Sequence, residues 1–206
     1  MVIVSSFEIL YNKNSGCHEV LVEEDTRCPY CGSILKYRNS RQRGILNELR
    51  EKTVYLLRRL WCEGCQHLHT EIPDFISPYR QYSSAVIQDV LDGGGDDCAA
   101  DDSTIRRWRG GFREARADIE QRLRSVYARE TDSHAPVTKG TGTLDALIRR
   151  EPRWLPFVMR LLICHGHRPC TRFAFCPEGE AVNMAETDKT GSKGDVVNDK
   201  SKEDTG

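Results

Sequence analysis

The chain has 206 residues, 30% of them charged and 38% drawn from the AVILMFWYC set, with a formal net charge of −1. That composition is globular but polar, sufficient for one ordinary domain or two small ones. It excludes a membrane-spanning helix, which needs about 18 or more consecutive apolar residues, and the absence of a basic segment before the first apolar residues argues against a secretory signal. The expectation is a cytoplasmic protein with no membrane partner.

The near-zero net charge hides an alternation along the chain. Residues 1–26 hold one Lys against five acids, and residues 177–206 hold four Lys against eight acids. Between these acidic ends lie two basic blocks. Residues 36–59 carry Lys36, Arg38, Arg41, Arg43, Arg50, Lys52, Arg58 and Arg59 against two acids, and residues 103–129 carry eight Arg against three acids. Two such blocks suit a polyanion; solvated helix and hairpin faces are the alternative.

In chain order, residues 2–10 and 19–22 read as short strands around a turn-like run at 12–16. Residues 27–78 form the most informative stretch. Cys28-Pro-Tyr-Cys31-Gly32 and Cys62-Glu-Gly64-Cys65 make a C-x2-C…C-x2-C pattern. A C-x2-C turn presents two thiolates from one short loop, and two such turns supply the four tetrahedral sulfur ligands that structural zinc prefers. Gly32 and Gly64 provide conformational freedom for tight turns. The 30 residues between Cys31 and Cys62 exceed the usual 15–20, so the ribbon must carry a basic excursion over about 36–52. Cys28, Cys31, Cys62 and Cys65 are therefore the expected ligands of one zinc ion. His67 and His69 follow the second pair; with four thiolates already present, they are expected in solvent or in hydrogen bonds.

A short amphipathic helix is expected over 83–91, capped by Ser83 or Ser84. A connector follows, and then a helix capped by Asp102 or Ser103 with its apolar face at Ile105, Trp108, Phe112, Ile119, Leu123 and Val126 or Tyr127. Gly110 and Gly111 suggest a kink, or a division into helices at 103–109 and 112–128. Arg106, Arg109, Arg113 and Arg116 fall on one stripe beside the apolar face. Residues 79–130 thus resemble a helix-turn-helix arrangement, whose second helix presents its N-terminal residues to base edges. Ser103, Thr104, Arg106 and Arg107 are the candidate readers, and Arg109, Arg113 and the 36–59 block the candidate phosphate contacts. The connector at 92–102 is longer than the usual turn unless 96–100 forms a short helix. An antiparallel helical hairpin with a solvated Arg face is the alternative.

Residues 131–143 read as a linker, 143–150 and 155–163 as two short helices, and 178–206 as a disordered acidic tail. Cys164, His165, His167, Cys170 and Cys176 have the number but not the spacing of a second metal site, and buried thiols with surface histidines are the plainer reading. The acids at 92–102 crowd into one loop and suggest a solvated connector rather than a nuclease centre. No phosphate loop or nucleophile motif stands out, so no catalysis is expected.

Taken together, Cys28-Pro-Tyr-Cys-Gly, Leu60-Trp-Cys-Glu-Gly-Cys, His69-Thr, Ile72-Pro-Asp-Phe, Pro78-Tyr, Tyr82-Ser and Ser103-Thr-Ile-Arg-Arg-Trp resemble a family of short bacterial proteins known only as a domain of unknown function. The zinc-ribbon start and the helices after it are similar to the N-terminal regions of insertion-sequence transposases. The resemblance runs from about residue 27 to 176. It implies duplex DNA binding linked to mobile elements, with a transposition partner protein, although no transposase catalytic domain follows.

The expected fold is α+β, a small zinc ribbon followed by a helix-turn-helix-like domain and an acidic tail. The expected function is zinc-dependent, non-catalytic DNA binding. Two alternatives stand beside it: a protein-interaction module that forms a homodimer through Ile119, Leu123 and Tyr127, and a metal-dependent nucleic-acid enzyme.

Overall fold

The structure is a computed structural model that describes residues 1–129 and 142–177. The acidic tail at 178–206 and most of the expected linker lie outside the described residues; at the end of that linker, Gly142 and Thr143 begin a helix. Among the described residues, six strands and four helices follow in order: β1 Val2–Val4, β2 Glu8–Asn12, β3 Cys17–Leu21, β4 Lys36–Leu46, β5 Lys52–Cys62, β6 His67–Pro73, α1 Ser84–Leu91, α2 Asp102–Arg129, α3 Thr143–Arg150 and α4 Trp154–Cys164. This is a mixed α+β fold.

Strand β5 is the hub of one curled sheet. It pairs antiparallel with β4 along nearly its whole length, with β6 at Arg59–Cys62, and parallel with β3 at Tyr55 and Leu56. Strand β1 lies parallel to β6, and β2 extends the other side beyond β3. The first 26 residues, whose role the sequence left obscure, thus supply three strands to the sheet that carries the cysteine pairs.

Side chains alternate across a strand, so Leu57 and Leu60 of β5 point to opposite faces. Both are buried. Leu57 joins the main core with Ile72, Ile87, Trp108, Leu123, Leu155 and Leu162. Leu60 joins a small second core with Val2, Cys28, Leu35 and Cys62. The sheet therefore separates a helical side from a cysteine-lined side.

Helix α1 is capped by Ser83, whose hydroxyl accepts from the Val86 amide at 3.2 Å. Helix α2 is capped by Asp101, whose carboxylate accepts from the Thr104 amide at 2.8 Å, one residue ahead of the expected caps. The helix runs unbroken through Gly110 and Gly111, contrary to the expected kink or division. A Cβ at Gly111 would meet Phe173 at 3.7 Å, ordinary contact, while Gly110 faces open space. Packing of Trp108 and Phe112 on either side offsets the roughly 1 kcal/mol cost of each glycine. Between α1 and α2 the connector holds turns, bends and irregular backbone, without the short helix allowed for at 96–100.

The apolar face of α2 is consumed inside the chain. Ile119 and Leu123 are buried and Tyr127 is half-buried against the same core. A homodimer built on that face has no exposed Ile119 or Leu123 to use.

Candidate metal centre and basic surfaces

The two cysteine pairs come together by local backbone chemistry. In the first turn the Gly32 amide donates to the Cys28 carbonyl at 2.9 Å and the Cys28 amide to the Ser33 carbonyl at 2.8 Å. Gly32 adopts φ +74°, a left-handed conformation that glycine takes without a Cβ penalty. The second turn joins β5 to β6, and there the left-handed residue is Gln66, at φ 56°. Gly64 serves a different purpose from the one expected of it. A Cβ there would lie 2.6 Å from Ser33 Oγ and 3.1 Å from Cys31 Sγ, so its bare backbone is what lets the two turns approach.

The Sγ atoms of Cys28, Cys31, Cys62 and Cys65 all lie within 4.8 Å of one another. The Sγ atoms of Cys28 and Cys65 are 3.5 Å apart, and those of Cys31 and Cys62 are 3.3 Å apart. A tetrahedron with metal–sulfur bonds of about 2.3 Å has edges of about 3.8 Å, so the cluster fits a single ion. Cys28 and Cys62 are buried, Cys65 is half-buried and Cys31 is exposed, which sets the site at the surface end of the second core.

The thiols differ in acidity. The Ser33 hydroxyl and amide, with help from Cys62, bring Cys31 down to about 6. Burial, with Cys62 and Cys28 alongside, pushes Cys65 up to about 12, and burial also raises Cys28. Four thiolates at this spacing need a cation among them, and a divalent metal supplies that charge.

His69 is buried at 1% exposure, with Nε2 3.6 Å from Cys28 Sγ and Nδ1 3.1 Å from the Met1 nitrogen. It buttresses a thiol instead of replacing one. His67 is exposed, its ring nitrogen against the Cys65 carbonyl. Glu71 on β6 accepts two bonds from Arg58 on β5, at 2.6 and 3.0 Å, and one from the Thr26 hydroxyl. That knot ties the segment before Cys28 to the strands bearing the second pair.

The first basic block is divided between fold and surface. Arg43 donates to the Ser77 and Arg80 carbonyls, Arg50 to the Cys98 carbonyl, and Arg58 is held by Glu71. Lys36 pairs with Glu63 in solvent. Arg38 and Arg41 of β4 are exposed, with Arg38 stacked 5.3 Å from the Trp61 ring centroid.

The Arg stripe of α2 is likewise divided. Arg109 donates to the Val90 and Gly94 carbonyls at 3.1 and 2.6 Å, closing the C-terminal end of α1, and Arg116 pairs with Asp145 of α3. Arg106 and Arg113 are exposed. Ser103 is exposed and bonded to Asp101, whereas Thr104 is buried, donating to Asp101 and accepting from Arg107. Of the six α2 residues expected to meet DNA, Ser103, Thr104, Arg106, Arg107 and Arg109 each make a hydrogen bond within the fold, and only Thr104 is buried.

The Cys/His group near the C-terminus does not gather around a metal position. Cys170 and Cys176 form a disulfide, and the Cys164 thiol meets the Ile3 carbonyl at 3.6 Å. His167, expected at the surface, is buried against Arg122. Among the described residues the four-cysteine cluster is the one group arranged for an ion. Two of the connector acids are also occupied: Asp92 accepts from the Trp154 indole at 2.8 Å and Asp101 caps α2.

The structure is that of an α+β protein with four cysteines positioned to hold a metal ion. A family described only as a domain of unknown function (DUF6431) matches residues 28–108, from the first ligand cysteine to Trp108. That is less than half of the 206 residues, and the description names neither a zinc ribbon nor a transposase. No curated protein and no solved structure was found to match. Within the described residues no helix is long and apolar enough to cross a membrane.

Proposed function

We propose that the chain is a zinc-dependent, non-catalytic DNA-binding protein, serving transposition or another mobile-element process. The observation that carries this reading is the attachment of a basic hairpin to the metal centre. Strand β4 begins five residues after Cys31, β5 ends at Cys62, and the hairpin between them exposes Arg38 and Arg41. Metal binding at its root joins the turn that carries Cys28 and Cys31 to the end of the hairpin, and structural zinc contributes that binding free energy to folding. Four sulfur donors favour zinc over hard cations such as magnesium or calcium. Arg106, Arg113 and Ser103 at the start of α2 add a second polar surface, consistent with a helix that approaches a groove.

The test is titration of a labelled duplex at several salt concentrations. If Arg38, Arg41, Arg106 and Arg113 each neutralise a phosphate, log K falls with log salt at a slope of about −3.6. Removing the metal with a chelator abolishes binding. Undetectable binding at low salt, or equal binding by metal-free protein, contradicts the reading.

A further inference from the structure

A cavity of about 440 Å³ lies where α2 meets the loop after α4. Three arginines line it: Arg80 from the segment before α1, Arg107 from α2 and Arg172 from the loop. Arg172 is 2% exposed. Its guanidinium stacks on Trp108 at 4.7 Å and on Phe173 at 4.3 Å from the ring centroids. Stacking satisfies the faces of a guanidinium and leaves its N–H edges to find acceptors. Here they find none: Nε and Nη1 of Arg172, and Nε of Arg80, are buried without a hydrogen-bond partner. Buried charges without partners are costly and are ordinarily paired.

The carboxylates at this cavity do not fill the need. Asp118 gives both oxygens to Arg122 at 2.9 Å, and Glu114 sits at the exposed rim. The loop is nonetheless built to hold Arg172 inward. The Cys170–Cys176 disulfide closes its base, the Cys170 and Thr171 amides donate to the Ala174 carbonyl, and Pro169 bridges Phe175.

We propose that this cavity binds the phosphate group of a phosphorylated ligand, held by Arg80, Arg107 and Arg172. Guanidinium forks match the oxygens of a tetrahedral oxyanion, and arginine is over-represented wherever phosphate is recognised. Burial, with the charges of Arg80 and Arg107 close by, lowers Arg172 to about 9, a conflict that a bound dianion relieves. The volume falls within the usual 300–1,000 Å³ of small-molecule sites, larger than phosphate alone. Phe173 and Phe175 supply apolar wall for the rest of the ligand. The site is distinct from the metal centre and does not rest on the DNA-binding reading. The phosphate can belong to a free phosphomonoester or to a DNA backbone.

Thermal melting of the full chain in inorganic phosphate, against sodium chloride of equal ionic strength, is the test. The midpoint rises saturably with phosphate in the wild type. Arg172→Met, which removes an unpaired buried charge and keeps apolar packing against the two rings, loses the response, and Arg80→Gln weakens apparent affinity at least tenfold. No saturable rise in the wild type, or wild-type responses in both variants, overturns the proposal. Adenosine 5′-monophosphate and a labelled duplex identify the source. Displacement of the duplex by saturating phosphate assigns the site to the DNA backbone. Binding of the monophosphate tighter than phosphate, with duplex binding unaffected or absent, assigns it to a free phosphomonoester.

Discussion

Arg109 of α2 donates from Nε to the Val90 carbonyl at 3.1 Å, so an arginine on the stripe assigned to phosphate contact closes the end of the neighbouring helix. Its Nη2 reaches Gly94 at 2.6 Å in the turn that follows. Arg109→Ala should therefore lower stability by about 1.5–3 kcal/mol, the range for hydrogen bonds to a charged group. Arg113→Ala, at an exposed position, should change stability by less than about 0.5 kcal/mol while reducing the salt slope of DNA binding by about one. Urea denaturation of the two variants without DNA separates these roles; equal stabilities would contradict the assignment.

Glu120 caps a helix that begins 23 residues later. Its carboxylate accepts from the Thr143 and Leu144 amides at 2.9 and 2.7 Å, where Gly142 offers no side chain. Burial disfavours the charged form, but the Leu144 and Thr143 amides and Arg124 outweigh it, so the Glu120 pKa is lowered. A lowered folded pKa gives stability that is present above the unfolded value of about 4.3 and lost as pH falls through the folded one. Glu120→Gln should cost about 1 kcal/mol at neutral pH, by analogy with a lost cap. The deficit relative to wild type should shrink as pH falls below about 4.3. A deficit constant down to pH 2 would show that the charge is not involved.

The Arg58–Glu71 pair should dominate the energetics of the sheet near the metal centre. Glu71 is 3% exposed, and removing its partner strands a buried carboxylate. Arg58→Met is expected to cost about 3 kcal/mol, toward the low end of the range for broken buried pairs because Arg58 is partly exposed. Arg41→Ala on the solvent side of the same hairpin should cost less than about 0.5 kcal/mol. Comparable losses in chemical denaturation would mean that the pair is not the tie described.

Local chemistry was the legible part of this sequence. The cysteine pairs, the cap at Ser83 and the apolar periodicity of α2, α3 and α4 depend on neighbours within a few residues, and each of these elements appears. What the sequence hid is long-range. The continuity of α2 across Gly110–Gly111 depends on packing around Trp108 and Phe112, and the capping of α3 depends on Glu120. Which arginines have partners in other elements could not be read from helical spacing. Arg109 and Arg116 find their partners in α1 and α3, and Arg43 finds its partners in the segment after β6. Arg80 and Arg172 lie outside the residues expected to meet DNA; their significance lies in the cavity that they share.

Gly64→Ala tests the approach of the two cysteine turns. The added methyl would meet Ser33 Oγ at 2.6 Å and Cys31 Sγ at 3.1 Å. Metal affinity should fall about 10-fold, the lower end for disturbing the surroundings of a ligand set, and Ser33→Gly in the same chain should restore part of it. Unchanged affinity in a competition titration with a chromogenic chelator would remove the role given to Gly64.

Metal content is the most direct test of the central claim that Cys28, Cys31, Cys62 and Cys65 hold one zinc ion on which the fold depends. The measurement is elemental analysis of purified protein, made together with circular dichroism before and after chelation. The account predicts one zinc per chain, loss of ordered structure when it is removed, and the same loss in Cys62→Ser, which lacks a quarter of the ligand set. Iron in place of zinc would keep the site and change its ion, since four sulfurs also suit iron. Well under one metal of any kind per chain, in a protein that stays folded, would contradict the account.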